Sequence, residues 1–461
     1  MNGMGGNTMT GTSAGRFGID GLREVVKGEV LTDGDPAYAV SSRTLTVQGH
    51  PAVVVRCAGA DDIAAALRYA REHQLPVAVR SGGHHPAGFG TNDGGVVIDV
   101  GLLDEVTVVP EEDGRRTVRV GTGATWGRVA GELASSGLAI SSGDTAAVGV
   151  GGLLGGGGIG WMVRRLGLAL DSVVGAEVVT ADGVARRVDA VNEPELFWGV
   201  RGAAGSLGVV ASYDVVAVHQ PTVLFGNLLF PSAQLEQVVS GWAAYMANAP
   251  VELSSSVQLP PTMFAEGQAP VAVMVCVSGD LVDAERLLAP LRALGTVITE
   301  TVAEIPYGDI LTTEQMPPEW TPRMRNGLFD RWVPELVERL ADARRRMPAM
   351  AVDVRALSGA FGAVAPEATA FGRRDARFMV NTVLLGSTAM HGGQVDGFDS
   401  LWEGLQPEGA YGNFLSHPTA EDLDRCFPKS HRDRLAALKQ EVDPTEVFST
   451  ALTVPPAGRI S

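Results

Sequence analysis

Cysteine is scarce: Cys57, Cys276 and Cys426 are the only three in 461 residues. They lie far apart, without the spacing of a metal site or a disulfide framework. No metal centre is expected. Long apolar runs are missing too, and none reaches the roughly 18 residues of a membrane span. Cations are outnumbered, with 36 Lys and Arg against 53 Asp and Glu and a formal net charge of −17. No basic block interrupts that excess. Nucleic acids and anionic membranes are held by clustered Lys and Arg, so neither is an expected partner. The opening stretch, MNGMGGNTMTGTSAG, lacks the basic-then-apolar order of a signal peptide. A reduced cytoplasm is therefore the expected compartment, and residues 1–20 are expected to form a flexible tail.

Glycine, by contrast, is abundant. The chain holds 58, well above the typical share of about 7%, and they cluster as ligand-contacting loops do. Apolar residues make up 45% and charged residues 19%, a composition able to bury large cores, and the length suits two or three domains. The most informative cluster is VAVRSGGHHPAG, Val77 to Gly88. Its β-branched start reads as a buried strand. Ser81-Gly82-Gly83 then lets backbone N–H groups converge on an anion, most often a phosphate. His84 and His85 follow, with ring nitrogens that are nucleophilic when neutral. Strand, anion nest and nucleophile is the order that holds a pyrophosphate cofactor and bonds to its ring. A plain turn followed by a surface histidine pair would use the same residues, so both readings stand at this point.

The second cluster runs from Ser141 to Gly160, SSGDTAAVGVGGLLGGGGIG. Gly155, Gly157 and Gly160 formally satisfy G-x-G-x-x-G, yet no clean apolar strand leads into them, as a dinucleotide fingerprint requires. A backbone laid flat along an extended ligand fits better. A solvated linker does not, because Ile140, Val148, Val150, Leu153 and Leu154 would be costly to leave in water.

Around these clusters, Asp61-Asp62 is expected to cap a helix carrying Ile63, Ala66, Leu67 and Ala70, stopped by Pro76. Val96 to Val100 and Thr117 to Gly121 read as strands, and Trp126, Val129, Ala130 and Leu133 mark another helix. Val173 to Val184 reads as a hairpin with an Asp-Gly turn. Glu193 to Gly202 starts a short helix, and Gly205 to Val210 returns to strand. The middle third is less readable, with strand-like runs at Val271 to Val277 and Phe378 to Leu385 and helix-like ones at Asp283 to Leu294 and Val333 to Arg346. Strands alternating with helices indicate an α/β or α+β layout.

Taken in order, RSGGHHPAG, GVGGLLGGGGIGWMVRRLGLALD, AEVVTADG and PELFWGVRGAAGSLGVV resemble the FAD-linked oxidases similar to berberine bridge enzyme. These belong to the vanillyl-alcohol-oxidase, or p-cresol-methylhydroxylase (PCMH), superfamily. The likeness is dense from about residue 48 to 220 and resumes at Gly409 to Phe414 and Asp443 to Phe448. It implies an α+β fold: a two-subdomain PCMH-type FAD-binding domain over 21–222 and a substrate domain over 223–405, an antiparallel sheet backed by helices. Residues 406–461 would then return to the FAD domain.

The resemblance also implies roles. His84 matches the histidine bonded to the flavin 8α-methyl carbon, and His85 lines the pocket. Further FAD contacts fall at Arg80, Ser81, Gly82, Gly83, Gly88, Asp144, Thr145, Val148, Gly149, Gly152, Gly156, Gly160, Val209 and Asn413. Doubly tethered relatives carry a cysteine near Thr145 and a histidine where Leu153 stands. Asp144, Thr145 and Ala146 are not thiols, so a single attachment through His84 is implied. Tyr411 takes a substrate proton while a hydride leaves for the flavin; a packing tyrosine bonded to a carbonyl is the plainer alternative. Leu357 to Phe361 and Ala368 to Arg374 resemble the family's substrate-domain pattern, with Gly372 where Pro or His is usual. A small side chain at Val148 is associated in the family with oxygen access.

The expected protein is thus an FAD-linked oxidase acting on a small molecule of secondary metabolism, with molecular oxygen as acceptor. A flavin-dependent oxygenating enzyme of natural-product biosynthesis, a non-catalytic flavin carrier and a nicotinamide dehydrogenase are the alternatives. Substrate identity and oligomeric state are not legible.

Overall fold

The computed structural model describes residues 18–110, 116–265, 269–313, 316–317, 319–403 and 405–458. Of the expected tail, 1–17 lie outside these residues, while Ile19 and Asp20 open a helix, Ile19–Val25, that buries Leu22.

The first sheet has four strands in the order Glu29–Leu31, Val53–Arg56, Val96–Asp99, Val77–Arg80, the last three parallel. Parallel neighbours need a crossover, and the helix Ala60–His73 supplies it, burying Ile63, Ala66, Leu67 and Ala70 on the sheet. The expected cap is corrected here. Gly59 is the N-cap, and Asp62 instead accepts from the backbone N–H groups of Lys27 (2.8 Å), Gly28 (2.9 Å) and Ala58 (2.8 Å). Three orphan donors outbid one helix terminus for the same carboxylate.

The second sheet is antiparallel, ordered Val106–Val108, Thr117–Gly121, Val209–Val216, Val173–Val179, Ala185–Asp189. Its last two strands form the expected hairpin, turning at Gly183 with φ of 81°. The helices Trp126–Ala134, Val150–Gly156 and Pro194–Ala203 contribute to the core built on it.

The third sheet is the largest, with eight strands. Its central run, Thr222–Phe230, Val271–Val277, Leu253–Leu259, Met350–Ala356, Phe378–Leu384 and Arg323–Phe329, is antiparallel throughout. One face is apolar: Val273, Val275, Val257, Val352, Val354 and Val380 pack with Trp242 of the helix Leu235–Met246. The helices Ala284–Arg292 and Glu335–Arg346 complete that layer. Trp242 Nε1 donates to Ser255 Oγ at 2.9 Å, and that hydroxyl donates onward to the Met274 carbonyl at 2.6 Å. The opposite face carries Ser254, Ser256, Asp353, Arg355 and Asn381 and looks toward the second sheet.

Buried cations lock these layers. Arg164 donates to the carbonyls of Leu357 (3.0 Å), Pro250 (3.1 Å), Leu253 (2.5 Å) and Ala249 (2.7 Å). Burial lowers its pKa to about 10, so it keeps its charge at neutral pH. Arg374 grips Asp171 with two bonds of 2.8 and 2.7 Å. Lys439 donates to Ser206 O, Asp443 Oδ2 and Phe448 O, fastening the C-terminal helix Lys429–Val442.

Candidate active site

The strand Val77–Arg80 ends where Ser81 Oγ donates to Thr122 O at 2.6 Å. Gly82 then packs backbone to backbone against Gly149; a Cβ on either residue would collide with the other's chain. Gly83 has φ of +67°, a conformation costly for any residue with a Cβ. Among the described residues the N–H groups of Gly82, Gly83 and His84 take no backbone carbonyl. These donors border a cleft lined by residues of the first two sheets, of the helix Val150–Gly156 and of the C-terminal return.

The two histidines differ sharply. Ala87 N–H donates to His85 Nδ1 at 3.1 Å, so the proton sits on Nε2, which donates to Gly412 O at 3.2 Å. Burial, only partly opposed by that bond, lowers the His85 pKa to about 4. Its ring also lies 4.4 Å from that of Phe89, tilted by 32°. His84 makes no such bonds among the described residues. Burial first, and then the charge of Arg80, lower its pKa, leaving a neutral imidazole with free nitrogens on the cleft wall.

The far wall comes from the C-terminal return. Asn326 holds it through Tyr411 N (2.7 Å), Tyr411 O (2.9 Å) and Phe414 O (3.2 Å). Tyr411 is only 2% exposed, with Phe414 at 5.2 Å and Phe371 at 6.3 Å, both edge-on. Its hydroxyl oxygen accepts from Gly158 N (2.9 Å) and Asn413 Nδ2 (3.1 Å). With both lone pairs used, its own hydrogen is left for the cleft. Burial raises the Tyr411 pKa, and the two donors and the nearby Arg355 charge offset this only in part.

Below this wall lies an ion triad. Arg355 donates to Asp144 (2.6 Å), to Asp353 (2.5 Å) and, at 3.5 Å, to the Ile159 carbonyl. Burial alone would raise the Asp144 pKa, but the Arg355 charge outweighs it and holds that carboxyl below its ordinary value.

The cleft brings together Ser81, Gly82, Gly83, His84, His85, Asp144, Val148, Gly149, Gly152, Gly156, Tyr411 and Asn413. Five expected contacts fall outside it. Arg80 pairs with Asp99 at 3.0 Å and borders a separate hollow behind His84. Gly88 abuts Val47, and Gly160 lies so close to the Ser142 carbonyl that a Cβ would not fit. Thr145 bonds Asp144 and pairs with Thr312. Val209 is a correction: strand alternation turns it into the core with Ile63 and Val77, while its neighbours Gly208 and Val210 line the cleft. Sequence reasoning missed Arg355, Asp353, Asn326, Phe371 and Phe414. The signal for the first two was the alternation in Met350–Ala356, MAVDVRA, which leaves two charges on one face of an otherwise apolar strand.

Comparison with known proteins accords with this geometry. Residues 51–189 match the family described as an FAD binding domain. The (R)-6-hydroxynicotine oxidase of Paenarthrobacter nicotinovorans is 32% identical over 325 residues, 69% of each chain. The crystal structure of 6-hydroxy-D-nicotine oxidase from Arthrobacter nicotinovorans matches with a TM-score of 0.81 at 26% identity, covering 93% of this chain and 98% of that one. A Physcomitrella patens BBE-like 1 structure, at 18% identity and a TM-score of 0.83, shares the fold over 95% of this chain and 99% of its own. Fold and cleft together define an FAD-linked oxidoreductase. The chain belongs to the berberine bridge enzyme-like FAD-linked oxidases of the vanillyl-alcohol-oxidase/PCMH superfamily.

Proposed function

We propose that the protein is a small-molecule oxidase that carries FAD covalently on His84 alone and passes electrons to molecular oxygen. In this reading 21–222 and 406–461 hold the flavin, and 223–405 hold the substrate. The observation that carries it is the contrast between the histidines: both His85 nitrogens are engaged, while the ring of His84, which borders the cleft, makes no hydrogen bond among the described residues. The residues present fit FAD. The unspent N–H groups of Gly82, Gly83 and His84 suit an anionic or carbonyl oxygen, and a Cβ at Gly152 would meet only open space. Cys426 also borders the cleft, but burial pushes its thiol up to about 12, which keeps it protonated and a poor nucleophile.

Bound FAD supplies a two-electron acceptor for a hydride. The chain's own part is to bury the reacting face and to manage the proton. Tyr411 donates its free hydrogen to a substrate heteroatom in its neutral form and takes a proton only as phenolate. Gly158 N–H and Asn413 Nδ2 stand ready to hold that phenolate. Val148, on the cleft wall, fits oxygen access. An oxygenating enzyme would instead consume oxygen without releasing peroxide.

His84→Ala should release the flavin on acid precipitation, whereas His85→Ala should retain it, and a digest should yield one flavinylated peptide, containing His84. Flavin found on His85 or on any cysteine overturns the assignment. Peroxide equal to substrate consumed separates oxidase from oxygenase.

A further inference from the structure

His84 is reached from a second side. Residues 39–48 and the end of the strand Val77–Arg80 border a hollow, and Gly82 and His84 line both that hollow and the cleft. Among the described residues, none of the third sheet or of the C-terminal return borders it. Part of the hollow is apolar, lined by Ala39, Val40 and Leu45, and Val40 is 72% exposed. The neutral polar donors there are spent within the chain. Gln48 Nε2 donates to Ser42 Oγ (2.9 Å) and Gly49 O (3.1 Å), and Thr44 Oγ1 donates to Val47 O (3.1 Å).

Charge decides what fits. Arg43 and Arg80 border the hollow, and among the described residues no carboxylate does, in a chain whose formal net charge is −17. Arg80 is fixed in place, donating from Nη1 to Asp99 at 3.0 Å and from Nε to the Arg43 carbonyl at 3.2 Å. Arg56 approaches the same Asp99 at 3.9 Å and pairs with Glu29 at 2.5 Å. The three arginines thus outnumber these two carboxylates, and the positive excess stands at the hollow. Such a patch on an acidic protein draws anions. Arginine holds an oxyanion through its planar fork and stacks on flat rings, and the apolar lining suits the ring itself.

We propose that this hollow docks a planar anionic oxidant of the quinone class, which takes up electrons through the wall that carries His84. This rests on the reading above that the flavin is held on His84. Reduction of the quinone to the hydroquinone consumes two electrons and two protons. Return of the reduced, anionic cofactor to FAD releases both electrons and one proton, and solvent in the open hollow gives the second proton. The substrate side, at Tyr411, is not entered. Oxygen remains an acceptor, so the hollow adds a route and replaces none.

The test is stopped flow on the flavin-loaded protein, reduced anaerobically with dithionite. It is mixed in turn with 1,4-naphthoquinone-2-sulfonate, with uncharged 1,4-naphthoquinone and with oxygen. Reoxidation by the sulfonate should saturate with its concentration and slow as salt is added. Arg43→Glu should lower the sulfonate's second-order rate constant about tenfold to a hundredfold, the range of a charge-assisted contact, and Arg43→Lys should keep most of it. The rates with uncharged naphthoquinone and with oxygen should not change. A linear dependence on the sulfonate, an equal loss with both quinones, or no loss in Arg43→Glu each overturns the proposal. Should Arg43→Glu fail to fold, Val40→Asp, on the same hollow, should show the same selective loss and decides in its place. Flavin content, the flavinylated peptide and the oxygen rate are read on the same samples. A lost oxygen rate beside an intact Arg43 effect overturns the oxidase reading alone, and flavin found off His84 overturns the tether.

Discussion

The two walls of the cleft are built from different materials. The cradle at Ser81 to His84 and Gly149 to Gly158 is made of backbone: Gly82 and Gly149 touch through their own main chains, and the N–H groups of Gly82, Gly83 and His84 take no backbone carbonyl among the described residues. The opposite wall is made of side chains, with Tyr411, Phe371, Phe414 and Asp144 brought from three separate stretches of chain. Where main chains touch, as at Gly82 and Gly149, such a cradle has no room for an added Cβ, and it recognises little beyond shape and charge. A side-chain wall accepts change more easily, and the proposed proton transfer at Tyr411 sits on it. On the proposed reading, binding of the cofactor falls to the first wall and choice of reaction to the second.

The strongest break in that comparison is Tyr411→Phe. It keeps the ring and its packing and removes the phenol proposed to carry the proton. Loss of a general base costs about a hundredfold to ten-thousandfold in rate, or roughly 2.7–5.5 kcal/mol of barrier. The rate of flavin reduction, measured by anaerobic stopped flow, should fall by that factor while the melting temperature holds. Because the Tyr411 pKa is raised, its proton stays on at neutral pH. The unaltered protein should therefore reduce faster as pH climbs into the alkaline range, and the variant should show no such rise. An unchanged rate in the variant assigns Tyr411 to packing.

His85 joins the two walls through Gly412 O, and its effect comes next in size. Its folded pKa of about 4 lies below the unfolded value of about 6.5. Between those values the unfolded chain binds a proton that the folded chain refuses, so stability is full above about pH 6.5 and declines as pH falls toward 4. The loss is on the order of 3 kcal/mol. Thermal melts across that window should show a shallower acid decline for His85→Gln than for the unaltered protein. Parallel profiles would remove His85 from the acid limb.

Gly82→Ala carries the smallest effect on stability, about 1–3 kcal/mol of overpacking against Gly149. Flavin content should nevertheless drop, since the cradle itself must shift. A variant with full flavin content would mean that the cradle is softer than its contacts indicate.

The cradle was legible in the sequence because its constraints are local. Ser81-Gly82-Gly83-His84-His85 are consecutive, and the helices and strands that flank them follow periodicity and punctuation. The third sheet was half legible. Val271–Val277 reads as strand from its β-branched run, whereas Leu253–Leu259 hides behind Ser254-Ser255-Ser256 and Arg323–Phe329 behind two arginines. Those polar residues face a partner surface that only the folded chain supplies. Val209 was misplaced by one position, which in a strand is the whole difference between core and cleft.

By itself, the sequence determined the cradle, the tether candidate at His84, the absence of a thiol near Thr145 and the family of the fold. Each depends on residues adjacent in the chain or on a periodic pattern within one element. Only the tertiary structure decided that His85 is engaged and His84 free, that Tyr411 spends both lone pairs, and that Asp144, Asp353 and Arg355 meet. Those facts depend on contacts between residues up to 327 positions apart, as His85 and Gly412 are. No local pattern encodes which distant atoms will fill a lone pair or leave it empty.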